Sequence, residues 1–222
     1  MLDQIYVLPI LLFSVVIHEL AHGWMALRLG DSTAKEMGRL TLNPIPHIDP
    51  VGSVLVPLLS IIASGRVMIA WAKPVPVNPN NFAHYRRDDI LVSIVGPVSN
   101  ILLALCCTMM VIILAAVNPL VENSGGLMKE GFLFLINMFA AGITLNIVLA
   151  VFNMIPIPPL DGSHVVASLL PPELSLKYRR VGFFGIILLL VIMRWEPVNT
   201  AYGRVIETLS YPFQQMIHFF IR

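Results

Sequence analysis

The sequence predicts an all-α polytopic membrane protein of about five to six membrane helices, with a small extended or re-entrant segment near a cluster of metal-ligating residues. Three observations carry this. Of 222 residues, 57% are hydrophobic and only 12% charged, with a mean hydropathy of +0.81; soluble domains carry about 25% charged residues. Long apolar runs recur, and several reach the ~20 residues that cross a bilayer core. Between them lie proline-rich stretches, residues 71–79 and 156–159, in which no helix can continue.

The first run, residues 5–27, is a spanning helix stopped by Gly30-Asp31. It has no basic start and no small-residue cleavage site, so it reads as a retained helix and not a signal peptide. Residues 31–50 are polar and mixed, and Arg39-Leu40-Thr41-Leu42 alternates like a short strand. The second run, 51–70, contains Pro57 and Gly65 and reads as a span or a dip that returns. Trp71-Ala72-Lys73-Pro74-Val75-Pro76-Val77-Asn78-Pro79 is an extended edge by its prolines. At membrane depth such backbone needs protein or water around it, which suggests the wall of a polar cavity; a surface connector is the alternative. A third run, 90–117, carries Gly96-Pro97-Val98-Ser99-Asn100 near its start. Asn100 reads there as an interhelical hydrogen bond. The fourth run, 131–155, places Asn146 and Asn153 on one face. A fifth covers about 181–195, and 198–221 either spans or lies in the interface as an amphipathic helix. The whole reads as a single domain, 1–222, with a core of about 5–165 and possible gate helices at about 177–222.

The chemistry concentrates in His18-Glu19-Leu20-Ala21-His22. On a helix, positions i and i+4 share a face, so both imidazoles can turn one nitrogen toward a single metal ion. Glu19 can then reach a water there as general base. Three ionisable side chains in an apolar helix cost several kcal/mol if left unpaired. By the helix rise, His18 sits roughly 12 to 15 Å inside the Arg28 end. His47 and His164 read as solvated loop histidines, with ligand and neighbouring roles as the alternatives. Cys106 and Cys107 lie together in an apolar run and form no disulfide framework. The net charge of +1 gives no sign of nucleic-acid binding.

Basic residues set an orientation. Arg28, Lys35, Arg39, Arg86, Arg87, Lys177, Arg179 and Arg180 fall in three loops, against Lys129 alone in the loop 118–130. The positive-inside rule then places the basic loops in the cytoplasm and the N-terminus outside. That brings the His18, Asn100 and Asp161 ends of three helices toward the cytoplasmic side. The extended 72–79 segment, with Pro74 and Val75, is an edge to which another unwound chain is expected to pair by strand addition.

With these residues in view, the sequence resembles the site-2 protease family of intramembrane zinc metalloproteases. The resemblance rests on His18-Glu19-Leu20-Ala21-His22, on Gly96-Pro97-Val98-Ser99-Asn100, and on Asn153-x-x-Pro156-x-Pro158-x-Leu160-Asp161-Gly162, in that order over most of residues 5–165. The 71–79 run is similar to the compact prokaryotic branch, without PDZ or CBS domains. The resemblance implies one Zn2+ per chain on His18, His22 and Asp161, completed by a water. It implies that Glu19 is the general base and then the proton donor to the leaving amine. Asn153 and Asn146 become candidates for contact with substrate or oxyanion. The implied activity is hydrolysis of peptide bonds in or near transmembrane segments, at the cell membrane, with transmembrane proteins and the lipid bilayer as partners. The alternative is a non-catalytic zinc-binding membrane scaffold or adaptor, but a structural site closes with four protein ligands and has no use for Glu19. A zinc transporter would need further ligands along a path across the bilayer.

Overall fold

Inside a bilayer the backbone has no partner but itself, so the long apolar runs fold as helices. The computed structural model describes residues 6–49, 52, 72–121, 125–182 and 184–221. Their helices are α1 (Val7–Arg28), α2 (Thr33–Glu36), α3 (Tyr85–Val121), α4 (Gly126–Asn153), α5 (Asp161–Leu169), α6 (Pro172–Arg179), α7 (Phe184–Ile192) and α8 (Glu196–Phe220). No strand occurs among the described residues.

Three helices, α1, α3 and α4, are long and apolar enough to cross a membrane. A fourth crossing arises only if α7 and α8, bent by 90° at their junction, count as one. The class is as expected from the sequence; the number of spans among the described residues is three to four. The run 51–70 lies almost wholly outside them. The expected fifth run forms only the nine-residue α7, about 13 Å long and too short to cross. Gly182 at φ +47 precedes α7, and turns from Met193 to Trp195 follow it. In α8, Ile206, Phe213 and Ile217 share one face and pack on the core, while Val205, Tyr211 and Phe220 stay exposed.

The core lies between α1, α3 and α4, where Ile10, Ala104, Cys107, Val111, Ile143 and Ile147 are buried together. Lipid tails are as apolar as these side chains, so close packing and interhelical hydrogen bonds hold the bundle. Gly142 permits that approach: a Cβ there would lie 2.8 Å from both Cys107 Sγ and Ile10 Cγ1.

α1 ends as its sequence suggests. Gly30 takes the left-handed conformation at φ +105, and the Asp31 N–H donates to the Ala26 carbonyl at 2.9 Å. Asp31 then ties the extended segment down. Fully buried, its carboxylate accepts from Thr33 and Asn81 through Oδ1 and from the Asn78 N–H at 2.7 Å through Oδ2.

The residues expected to form a strand do not pair. Instead the buried Arg39 reaches across with its Nη2, donating to the Lys73 and Pro74 carbonyls at 2.9 and 3.3 Å. The Lys73 N–H in turn donates to the His47 carbonyl at 2.9 Å. Residues 72–78 are thus held by side chains and single backbone bonds, and not by a ladder.

Burial pushes the Asp31 carboxyl up, but the hydrogen bonds from Thr33, Asn78 and Asn81 outweigh it and hold the group below its ordinary 3.8. A depressed carboxylate contributes stability that is present above the unfolded value and is lost as pH falls through the folded one. Asp31→Ala should therefore lower the melting temperature at pH 7, and the difference from wild type should shrink steadily below pH 3.8. Thermal melts in detergent over that range test this.

Candidate active site

His18 and His22 lie one turn apart on α1, and their ring edges meet at a centroid distance of 4.7 Å. Asp161 arrives from a different direction. Three prolines end α4's continuation, Leu160 is extended at φ −72, ψ 156, and Asp161 opens α5. His18 Nε2 and His22 Nε2 are 3.0 Å apart, and Asp161 Oδ2 is 3.1 and 3.3 Å from them.

The hydrogen bonds behind the rings decide what those three atoms are. His22 Nδ1 is 2.6 Å from the Val92 carbonyl, which can only accept, so Nδ1 carries the proton and Nε2 bears a lone pair. The same follows for His18 through a longer chain. Asn146 Nδ2 donates to the Gly142 carbonyl at 2.8 Å, which turns Asn146 Oδ1 toward Asn100. Asn100 Nδ2 donates to that oxygen at 2.9 Å, which turns Asn100 Oδ1 toward His18. His18 Nδ1 then donates to Asn100 Oδ1 at 2.5 Å, leaving its Nε2 as a lone pair.

Two imidazole Nε2 atoms and a carboxylate oxygen therefore converge on one point with both Nδ1 protons committed elsewhere, and Asp161 Oδ2 is buried with no polar partner outside the three. Only a cation or a proton relieves that arrangement. His18, His22 and Asp161 are the one group among the described residues with this convergent ligand geometry. Two nitrogens and one carboxylate oxygen suit zinc. Zinc–nitrogen bonds of about 2.0–2.1 Å imply tetrahedral edges of roughly 3.3 Å, near the three separations found.

The three atoms open on a cavity of ≈ 320 Å³, whose wall includes Glu19, Pro74, Val75, Ser93, Asn153, Pro159 and His164. Three protein ligands beside an open cavity leave a position for another ligand. Glu19 Oε2 accepts from the Val75 N–H at 2.7 Å, so the extended segment holds this carboxylate. Asn153 donates through Nδ2 to the Leu149 carbonyl at 3.0 Å, which leaves its second amide hydrogen available.

Of the residues expected at the site, His18, Glu19, His22, Asp161, Asn153, Pro74 and Val75 meet in this cavity. Asn146 does not. It is fully buried, with its amide bonded to Asn100 and Gly142, so the expectation of substrate contact is corrected. Nor is Asn100 merely a link between helices, since its oxygen meets His18. Strand addition along 73–75 is also revised: the Lys73 and Val75 amides are engaged by His47 and Glu19, so a substrate must exchange those bonds. His47 is not solvated; it is buried, with Nε2 3.0 Å from the Thr41 carbonyl.

Two contributors were missed. The Val92 carbonyl is backbone, 70 residues from His22, and has no sequence signal. Asp89, in the Arg86-Arg87-Asp88-Asp89 cluster, is buried and accepts from Ser168 at 2.6 Å and Arg179 at 2.7 Å, pinning α5 and α6 to α3. Arg179 also donates to His164 Nδ1 at 3.0 Å, which leaves the His164 proton on Nε2. The available signal was an acid at the start of an apolar run beside a basic pair; its burial shows only in the structure.

The model of Peptidase family M50 matches residues 6–193. The chain belongs to that family, the site-2 proteases. It is 36% identical to "Putative zinc metalloprotease YwhC" of Bacillus subtilis, over 96% of this chain and 94% of that protein. It is 31% identical to "Putative zinc metalloprotease Rip2" of Mycobacterium tuberculosis and 29% identical to the Rip2 of Mycolicibacterium smegmatis; each match covers 85% of this chain and 66% of the relative. No solved structure matches. This M50 chain is a zinc metalloprotease and a membrane protein.

Gly96 gives a direct test of the geometry. A Cβ at this position would lie 2.5 Å from His22 Cε1 and 2.7 Å from His18 Cε1. Gly96→Ala should displace both rings and weaken zinc binding by about 10- to 100-fold, the usual range for disturbed ligand support. Chelator competition on purified protein measures it; an unchanged affinity would contradict the geometry.

Proposed function

We propose that this protein is an intramembrane zinc endopeptidase that cleaves peptide bonds in or near transmembrane segments of membrane proteins. The observation that carries the reading is the placement of the three convergent lone pairs. They lie among membrane-capable helices, beside Glu19 and in an open cavity. His18, His22 and Asp161 are the residues to hold zinc, which supplies Lewis acidity and lowers the pKa of water.

The chain's own groups do the remaining work. Glu19, held through Oε2 by the Val75 amide, has Oε1 to take a proton from the attacking water and return it to the leaving amine. Asn153 offers its second amide hydrogen to the developing oxyanion. The extended segment 72–78 lies against Glu19, so an unwound substrate laid along Pro74 and Val75 has its carbonyl near both groups. The active site faces the cytoplasmic side, as the basic loops favour.

Purified protein in liposomes with single-span substrates tests this. Glu19→Gln should lower turnover at least 10²-fold, as expected for loss of a general base, with zinc content unchanged. Equal cleavage by both proteins would refute the assignment of Glu19. Val75→Pro removes one amide hydrogen. It should lower kcat on the order of tenfold through misplacement of Glu19, again with zinc retained. Unchanged kinetics would show that the Val75 amide does not position Glu19.

A further inference from the structure

We propose that Asn146 is a positioning residue for the metal centre, acting on His18 through Asn100 and never touching substrate or metal. The inference rests on the zinc-protease reading and extends it to a residue remote from the cavity.

The argument is one of hydrogen-bond direction. A carboxamide can turn either its oxygen or its nitrogen toward a neighbour, and nothing in Asn100 alone decides which. Were Asn100 reversed, its NH2 would face His18 Nδ1. The neutral ring would then carry its proton on Nε2, where the lone pair for a metal is needed. The choice is made two residues away. The Gly142 carbonyl accepts and cannot donate, so it fixes the orientation of Asn146. Asn146 Oδ1 then fixes Asn100, and Asn100 Oδ1 fixes the His18 tautomer. Asn146, Asn100 and His18 are all buried, the two asparagines completely, so within this packing the chain has only one satisfied direction. The glycine at the end also serves, since a Cβ there would collide with α1 and α3 and shift the carbonyl that sets the direction.

Other roles fit less well. A purely structural asparagine between helices has no need of a fixed direction. Substrate contact is excluded by its burial.

The test uses two near-isosteric variants of the full chain. Asn146→Asp keeps an acceptor for Asn100 Nδ2. Asn146→Leu fills the space with none. Zinc dissociation constants by chelator competition should rise about tenfold or more for Asn146→Leu, in the range for disturbed support of a histidine ligand. For Asn146→Asp they should stay within about threefold of wild type, below that range. The Co2+-substituted visible spectrum should shift in the first variant only. The effect must vanish where the relay is already broken: in an Asn100→Leu background, Asn146→Leu should weaken zinc no further.

Equal losses in the two Asn146 variants, unchanged zinc affinity in Asn146→Leu, or additive losses in the double variant would each overturn the proposal. If Asn146→Leu fails to fold, Asn146→Ala takes its place with the same outcomes. His22→Ala separates the two claims. If it binds zinc as tightly as wild type, the metal-site reading itself fails; if it loses zinc while Asn146→Leu does not, the relay alone fails.

Discussion

Three electron pairs aimed at one point are the constraint on which this structure depends. His18 Nε2, His22 Nε2 and Asp161 Oδ2 lie 3.0 to 3.3 Å apart, with both Nδ1 protons committed elsewhere. In a low-dielectric interior such an arrangement is unfavourable until a positive charge enters. The polar atoms around it serve to prevent escape. The Val92 carbonyl forbids His22 its other tautomer. The asparagine relay forbids it to His18. Asp89, gripping Ser168 and Arg179, holds the helix that presents Asp161. The site's affinity for a cation is built into the bundle by backbone carbonyls and buried amides.

The same economy joins the catalytic groups to the fold. α1 carries His18, Glu19 and His22 and ends in a turn whose Asp31 anchors the extended segment at Asn78. Three residues earlier, that segment gives its Val75 amide to Glu19. One short stretch of chain thus ties the end of α1 to the Glu19 carboxylate on its middle. Disturbance of residues 72–78 should reach the chemistry without touching the metal ligands.

The sequence made the centre legible because its signal is local. Two histidines at i and i+4 share a helix face whatever the tertiary structure does. Asp161 lies about 140 positions away, and while the loop charges brought it to the same side, the family pattern was what paired it with them as a ligand. Asn146 was misread for a physical reason. It does share a face with Asn153, but two turns, about 10 Å, separate them along α4. Asn153 therefore reaches the cavity while Asn146 lies behind His18. Val92 left no trace, because a backbone carbonyl is the same in every residue. Among the helices, α1, α3 and α4 were legible from apolar length. The run 198–221 was legible as a helix, α8, but 181–195 forms only the short α7, and apolar composition does not report the 90° bend between them.

The most direct measurement of the central claim is zinc K-edge X-ray absorption on purified protein, with metal content determined on the same sample. We expect one zinc per chain in a shell of two imidazoles and light oxygen donors, with no sulfur. Substoichiometric metal that washes out, a shell containing sulfur, or a third imidazole would contradict the account.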